Sequence, residues 1–343
     1  MREIDLSKYE IRTDLVMDLV EEDSDFVKKY ERNGCKVRKI VLNDCEGKKL
    51  GKKAGDYTTL YFDDITDSGN YDNVLSVLVE EFRDILESTN IGDDASCLIV
   101  GLGNEKSTAD ELGVAVARNV IITKHIYDLT GTLEDGYRVT SLLIPGVMGT
   151  TGIETSDIIY AVVKETKPDF LVVIDALFSD SVDRLLKTIQ ITNTGINPGS
   201  GVGNKRKELS FDVFGIPVIA IGVPTVVDAV TIVSDTVKFM NKHLSYSIRN
   251  KDSLRDKLVP FSKINYLKDN NYSLSRNEES YFLGAFGNLS NFEKRVLIEN
   301  VLTPIGYNFV VTVKEIDFIV ECLTKLISSS INIVLHNIST KKF

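Results

Sequence analysis

The chain has 343 residues, a net charge of −10, and 43% hydrophobic and 26% charged residues. These proportions are typical of a globular protein with a sizeable core. The negative charge argues against direct nucleic-acid binding, because proteins that bind nucleic acids neutralise phosphates with lysine and arginine. The first residues lack a basic start followed by an apolar core, and the longest apolar stretch, 216–233, contains two prolines and Asp228. We therefore expect no signal peptide, no membrane-spanning helix and a cytoplasmic location.

The cysteines and histidines lack the spacing of a metal site or a redox pair. The four cysteines show no CxxC motif, and none of the three histidines has a metal-binding partner four residues further on. These residues are Cys35, Cys45, Cys97 and Cys322, and His125, His243 and His336. No cofactor is expected on this basis.

Short apolar runs alternate with helical patterns from residue 97 onward. The runs 97–100, 142–144, 170–174 and 218–221 are each followed by a turn and then by apolar residues at helical spacing. Strands that alternate with helices need crossover connections, which favour a parallel sheet covered on both faces. The predicted fold class is α/β, a mostly parallel twisted sheet with helices on both faces. Additions at both ends flank a core of about 90–250, and a helical extension covers about 280–343.

The segment GLGNEKSTADELG, residues 101–113, lies between a predicted strand and a predicted helix. It does not match the dinucleotide-binding pattern G-x-G-x-x-G, because Lys106 stands at the third glycine position. It provides a tight turn at its first two glycines and then the carboxylate of Asp110 at the start of a helix. Asp110 is therefore either a helix-capping residue or a catalytic acid.

Asp175 directly follows the apolar run 170–174. Ligands of parallel sheets bind beyond the carboxyl ends of strands, so a carboxylate at that place is a candidate functional group. Pairing with Arg184 or binding of loop amides is the structural alternative. Two carboxylates in one crevice cannot both ionise easily, so one pKa rises and the other stays low. Asp110 and Asp175 would then serve as general acid and general base for a water that attacks an amide.

A long glycine-rich loop covers residues 188–210 and carries a basic cluster that includes Lys205 and Arg206. Long loops inside compact domains are usually functional. The cluster is predicted to bind an acidic side chain of a substrate, and the alternative is a charged turn that simply faces water.

A second glycine-rich loop, 145–157, contains Thr150 and Thr151. Their hydroxyls and amides are candidates for binding a substrate or an oxyanion, and the alternative is a plain connection between strand and helix. The loop is expected at the same end of the sheet as Asp110 and Asp175.

Four long motifs carry a family resemblance: PGVMGTTGIETSDII, KPDFLVVIDAL, TIQITNTGINPGSGVGNKRKELS and GIPVIAIGVPTVVDAVTI. In these motifs the chain resembles the germination proteases of endospore-forming bacteria, and the resemblance runs from DLSKYEIRTDL to the helical tail. More distantly, the pattern G-x-G-N…Asp-Glu-x-x-Gly is similar to that of hydrogenase maturation proteases, which implies a similar fold.

The resemblance implies an endopeptidase that degrades small acid-soluble spore proteins during spore germination. It also implies a zymogen made in the forespore that processes its own N-terminus, a homotetramer, and a location in the spore core. The family is regarded as an atypical aspartic peptidase, and the resemblance assigns the catalytic aspartates to Asp110 and Asp175. Neither nucleic acid nor a membrane is expected as a direct partner.

The resemblance further implies where the chain cuts itself. Family substrates have Thr-Glu, a large apolar residue, two small residues and Glu, and they are cut after the first acid. The sequence of residues 13–18, TDLVMD, is a conservative version of that pattern. It predicts self-cleavage between Asp14 and Leu15, a propeptide 1–14 and a single peptidase domain 15–343.

Glu111 is a rival to Asp110. The family commonly has Pro-Asp-Ala around the first aspartate, whereas this chain has Ala109-Asp110-Glu111. Hydrogenase maturation proteases use a glutamate at this place to hold nickel, so a metal-assisted peptidase with Glu111 and Asp175 as ligands stays an alternative. A non-catalytic protein that sequesters spore proteins is the other alternative.

Overall fold

The computed structural model describes residues 13–20, 24, 26–198, 207–250, 272–302 and 309–338. The chain divides into two compact units. Among the described residues, the larger unit comprises those from Thr13 to Val226 and those from Thr312 onward, and the smaller unit comprises those within Val227–Val311. The prediction that residues 15–343 act as one domain stays a prediction.

The larger unit is built on a mixed sheet with the strand order β1-β2-β3-β7-β8-β6-β4-β5. The strands are β1 Val27–Arg32, β2 Cys35–Leu42, β3 Gly55–Tyr61, β4 Cys97–Gly101, β5 Thr140–Leu143, β6 Phe170–Phe178, β7 Thr188–Thr192 and β8 Val218–Asp228. The last two residues of β8 belong to the smaller unit, where they pair with β9, Val310–Val311.

The α/β class is confirmed, and the parallel order holds for one half of the sheet. The strands β5, β4, β6 and β8 pair in parallel, which is the alternating strand and helix arrangement that the sequence predicts. The strands β1, β2, β3 and β7 are joined to one another and to β8 by antiparallel pairing. The sheet is therefore mixed, because an antiparallel N-terminal portion extends the parallel core.

The helices follow in chain order as α1 Asp44–Leu50, α2 Ser68–Ser88, α3 Leu112–Ala117, α4 Lys124–Thr130, α5 Met148–Thr151, α6 Thr155–Thr166, α7 Phe211–Phe214, α8 Ala229–Arg249, α9 Arg276–Leu283, α10 Asn291–Leu302 and α11 Ile316–His336. Short 3-10 turns cover Val16–Asp18, Thr108–Asp110 and Val182–Arg184. The helices α8, α9 and α10 belong to the smaller unit.

The core of the larger unit lies on the parallel half of the sheet. All five residues of β4 are buried, and the side chains of Leu98 and Val100 belong to a core cluster with apolar residues of β6 and with Ile159 and Val163 of α6. A strand buried on both faces has a continuous apolar sequence, which explains why the runs in β4 and β6 were identifiable. The rigid core fixes the positions of the loops that leave the carboxyl ends of β4, β5 and β6.

The C-terminal helix α11 is long and apolar enough to cross a membrane by length and composition alone. Its side chains Leu323, Ile327 and Ile331 have no exposed surface. The helix packs against α2 and α3. Asn332 accepts a hydrogen bond from the Ile121 N–H at 2.8 Å, so α11 has the contacts of a buried core helix.

The smaller unit contains a long helix and two shorter ones. Asp228 caps α8 by accepting a hydrogen bond from the Thr231 N–H, and α10 packs against α8. Lys294 of α10 forms a largely buried ion pair with Glu279 of α9 at 2.5 Å. Glu279 also accepts a hydrogen bond from Asn241 of α8, so one carboxylate connects the three helices.

Candidate active site

The sequence predicts that Asp175 directly follows a strand, whereas the structure places it inside β6. The strand continues to Phe178, because the backbone of Asp175 stays in the ladder and pairs with Gly222 of β8. The neighbouring strand β4 ends at Gly101, which pairs with Ile174. Asp175 is thus the first residue of β6 beyond the end of β4. Asp175 is only 6% exposed, and its Oδ1 accepts a hydrogen bond from the Ala176 N–H at 3.0 Å.

Asp110 ends the 3-10 turn that connects β4 to α3. Its carbonyl accepts a hydrogen bond from the Asn104 N–H at 3.0 Å, and its N–H donates to the Ser107 carbonyl at 2.7 Å. The N-cap residue of α3 is Glu111, whose side chain makes no capping hydrogen bond. Asp110 therefore directly precedes the N-cap position of α3, and the alternative that its carboxylate satisfies helix N–H groups stays a prediction.

Close backbone packing brings the turn of Asp110 against β6. A Cβ atom on Gly113 would lie 2.3 Å from the Ile174 carbonyl oxygen, so only glycine fits where α3 meets β6. A Cβ atom on Gly103 would lie 1.8 Å from the Asp110 carbonyl oxygen, and Gly103 has a φ of +113°. The Thr225 hydroxyl donates to the Ala109 carbonyl at 2.6 Å. These contacts place Asp110 and Asp175 on adjoining elements beyond the end of β4.

Thr150 and Thr151 lie in α5, the single helical turn within the loop 145–157. Both side chains are exposed, and both hydroxyls donate to the Val147 carbonyl. Because β5, β4 and β6 are parallel, this loop leaves the same end of the sheet as the two aspartates, as expected. The substrate-binding role of the two threonines stays a prediction.

Lys205 and Arg206 lie outside the described residues. The end of their loop is described from Lys207 onward. Lys207 forms an exposed ion pair with Asp157 of α6 at 2.7 Å, and Lys53 forms one with Glu208 at 2.7 Å. The loop that follows β7 therefore returns past the start of α6, beside the loop 145–157.

Residues 13–18, which include the predicted cleavage site, pack against the distal end of β6. The Asp14 N–H donates to the Phe178 carbonyl at 3.1 Å, and the Phe178 N–H donates to the Asp14 carboxylate at 2.9 Å. Leu15 and Val16 have no exposed surface. Phe178 is three residues beyond Asp175, so the strand that carries Asp175 also binds the segment. We call residues 13–18 the docked segment.

The docked segment lies over the face of the sheet to which Asp175 belongs. The Val16 N–H donates to the side-chain oxygen of Gln190 at 3.0 Å. Gln190 and Asp175 both pair with Gly222, so the three residues form one row and share a face. With strands roughly 4.8 Å apart, the backbones of Gln190 and Asp175 are separated by about 10 Å.

Lys52 contacts the predicted cleavage site directly. Its ammonium donates to the Thr13 carbonyl at 3.1 Å and to the Asp14 carbonyl at 3.0 Å. The Asp14 carbonyl belongs to the peptide bond that is predicted to be cut. Burial lowers the pKa of Lys52, and the carboxylates of Asp14 and Asp18 counteract that effect in part.

Asp18 is enclosed in a polar pocket, and its side chain is only 1% exposed. Arg184 pairs with Asp18 Oδ1 at 2.5 Å. Asp18 Oδ2 accepts hydrogen bonds from the Asp180 N–H at 2.7 Å and the Ser179 hydroxyl at 3.2 Å. The Thr13 hydroxyl also donates to Oδ2, which closes the docked segment into a compact turn.

No sequence pattern predicts a role for Lys52, Gln190, Ser179 or Asp180, and Arg184 is expected from the sequence only as a partner of Asp175. Gln190 offered little signal, because polar and apolar residues alternate along the whole of β7, Thr188–Thr192. The other residues contact the docked segment across large sequence separations, and no local pattern marks them.

The described residues contain no group of three or more His, Cys, Asp or Glu side chains placed to hold a metal ion. The ligand pair Glu111 and Asp175 therefore has no third ligand of these types within that part of the chain.

Comparison with known proteins identifies the family. The family model described as germination protease matches residues 10–342. The chain belongs to the germination protease family. It is 47% identical to the germination protease of Bacillus licheniformis, over 98% of this chain and 96% of that protein. It is 44% identical to that of Bacillus cytotoxicus and 43% identical to that of Bacillus mycoides, each over 97% of this chain and 96% of the relative.

Membership of the germination protease family makes the chain a peptidase. A peptidase needs groups that activate water and groups that bind a peptide. The aspartates and the residues that contact the docked segment are candidates for these two kinds of group. Asp110 and Asp175 are the predicted groups of the first kind. Lys52, Arg184 and Gln190 are polar groups that already contact a peptide segment of the chain itself.

Proposed function

We propose that the chain is an endopeptidase that uses Asp110 and Asp175 as an acid–base pair and cuts small acid-soluble spore proteins during germination. One aspartate takes a proton from water, whose oxygen attacks the carbonyl carbon of the residue before the cut. The other aspartate donates a proton to the departing amide nitrogen. The peptide bond breaks into a carboxylate and an amine, and no covalent intermediate forms.

The chain also cuts itself between Asp14 and Leu15 in this proposal. The observation that carries it is the docked segment, whose Asp14 pairs with Phe178 of the strand that holds Asp175. This contact lies three residues along β6 from Asp175, roughly 10 Å of strand, and in this proposal the bond moves from there to the aspartates, where proximity supplies much of its reactivity. The released propeptide is residues 1–14, and the mature chain begins at Leu15. The mature protein acts as a homotetramer in the cytoplasm of the forespore and spore core, without a cofactor.

Digestion of a purified small acid-soluble spore protein tests the substrate. We expect fragments that end in an acidic residue and continue with a large apolar residue, as measured by mass spectrometry. The matched control is the same spore protein with that acidic residue replaced by its amide. Equal cutting of both proteins, or no cutting of either, would contradict the proposed substrate and its recognition.

A chelator separates the aspartate pair from the metal-assisted alternative with Glu111 and Asp175. If the aspartates act alone, the rate of digestion is unchanged after the chelator is added and removed. A loss of activity that a divalent ion restores would favour the metal-assisted alternative. A protein that binds the spore protein tightly without ever cutting it would instead be a sequestering protein.

A further inference from the structure

The pairing of β8 with β6 is interrupted by one extra residue, Thr225. Leu177 of β6 pairs with Pro224 of β8. The next residue of β6, Phe178, pairs with Val226, so the register skips Thr225 and β8 has a β-bulge there. A β-bulge changes the direction of a side chain, and bulges are common beside active sites. Thr225 has no exposed surface, so its hydroxyl needs a partner inside the protein.

The partner of the Thr225 hydroxyl is the peptide group directly before Asp110. The hydroxyl donates to the Ala109 carbonyl at 2.6 Å. The nitrogen of the same peptide group is that of Asp110, whose N–H donates to the Ser107 carbonyl at 2.7 Å. A peptide group is planar, so holding its oxygen and its N–H fixes the plane from which Asp110 continues.

This hydrogen bond ties the turn of Asp110 to the sheet. The backbone bonds among Asn104, Ser107 and Asp110 lie within the turn, so they fix its shape and not its position. The close approach of Gly113 to β6 brings the turn near the sheet, but a steric contact lacks the direction of a hydrogen bond. The Thr225 hydroxyl supplies that direction from β8.

The bulge is itself well supported. The Thr312 hydroxyl donates to the Thr225 carbonyl at 2.7 Å. The carbonyls on either side, those of residues 224 and 226, accept backbone N–H groups at 2.8 Å and 3.2 Å. Each of the three carbonyls in the bulge therefore has a donor, which holds Thr225 in place although it lies outside the regular ladder.

We propose that Thr225 is a positioning residue for Asp110. The bulge directs its hydroxyl at the peptide group before Asp110, and this bond holds the carboxyl group in the orientation that proton transfer requires. The inference rests on the proposed function, because it concerns the acid–base pair of that function. In this role Thr225 acts through Asp110 and does not touch the substrate.

The test compares kcat and KM for digestion of a spore protein by self-processed wild type, Thr225→Val, Thr225→Ser and the control Thr58→Val. Valine has nearly the shape of threonine without the hydroxyl, whereas serine keeps the hydroxyl. Thr58 is a matched control, because it is a fully buried threonine of the same sheet. Its hydroxyl has no hydrogen-bond partner among the described residues, so valine removes no bond there.

Thr225→Val should lower kcat by about 10- to 100-fold and leave KM within about threefold, because the substrate still binds while Asp110 is misplaced. Thr225→Ser and Thr58→Val should keep kcat within about threefold of the wild type. Thr312→Val removes the support of the bulge and should lower kcat by about 3- to 10-fold. Thr312 is only half-buried, so this variant is expected to fold.

A folded Thr225→Val with the wild-type kcat overturns the positioning role. A loss that Thr225→Ser does not restore also overturns it, because the hydroxyl would then not be the cause. Circular dichroism melts identify variants that fail to fold. If Thr225→Val is one of them, an unchanged kcat in Thr312→Val overturns the role instead.

Asp110→Asn, measured in parallel as self-cleavage of the full-length chain, separates this inference from the proposed function. An Asp110→Asn chain that cuts itself at the wild-type rate contradicts the acid–base pair. An uncut Asp110→Asn chain beside a fully active Thr225→Val contradicts the role of Thr225 alone.

Discussion

Replacing Asp175 by asparagine should lower kcat for a spore-protein substrate by at least about 1,000-fold, and Asp110→Asn should do the same. Asparagine has nearly the same shape as aspartate, and its side-chain oxygen can still accept the hydrogen bond from the Ala176 N–H that Asp175 now accepts. What it loses is the ability to take up and release a proton. The measurement is the single-turnover rate of cutting, with enzyme in excess.

Two control variants make the result specific. Asp84→Asn changes an exposed carboxylate on α2 and should leave the rate unchanged. Glu111→Gln should retain most of the activity if the two aspartates form the acid–base pair. If Glu111→Gln abolishes cutting while Asp110→Asn does not, Asp110 is the wrong partner and the metal-assisted alternative gains support.

Replacing Lys52 by methionine should slow self-cleavage at Asp14–Leu15 by about 100- to 1,000-fold. The ammonium of Lys52 lies 3.0 Å from the carbonyl oxygen of the bond that is predicted to be cut. That oxygen becomes an anion when water adds to the carbonyl carbon, so a nearby positive charge stabilises the transition state more than the ground state. Methionine retains the length of the side chain and removes the charge.

The pH dependence of self-cleavage provides a second readout for Lys52. Burial lowers the pKa of Lys52 below that of an ordinary lysine. Lys52 therefore loses its proton at a lower pH than an exposed lysine would. The loss of that proton removes the charge that stabilises the transition state. The wild-type rate should fall on the alkaline side, whereas the residual rate of Lys52→Met should lack that fall.

Lys49→Met is the matched control, since Lys49 is an exposed lysine in the last turn of α1, three residues before Lys52. Its rate of self-cleavage should equal that of the wild type. If Lys52→Met cuts at the wild-type rate while folding normally, the ammonium only anchors the docked segment and does not stabilise the transition state.

The core strands were predictable from sequence because their apolar runs are continuous. The starts of β4, β6 and β8 at Cys97, Phe170 and Val218 were all identified correctly. The ends of β6 and β8 were predicted too early. A strand continues as long as its backbone pairs, and Asp175 and Gly222 keep the ladder intact even though one is charged and the other has no side chain.

The antiparallel half of the sheet and most of the docked segment's contacts could not be predicted. The pairing of β3 with β7 joins residues more than a hundred positions apart, and no local pattern specifies it. The ion pair between Asp18 and Arg184 also joins residues more than a hundred positions apart, so no local pattern specifies it. The sequence marked the docked segment through its family resemblance, whereas its pocket became visible only in the fold.

The most direct test of the account is the mass of the chain itself. Purified full-length wild type, incubated at mildly acidic pH, should lose residues 1–14 and yield one product that begins at Leu15. Asp175→Asn, treated in the same way, should keep its full mass. A wild type that stays uncut, a different first residue, or an Asp175→Asn chain that is cut as fast as the wild type would contradict a self-processing peptidase that depends on Asp175.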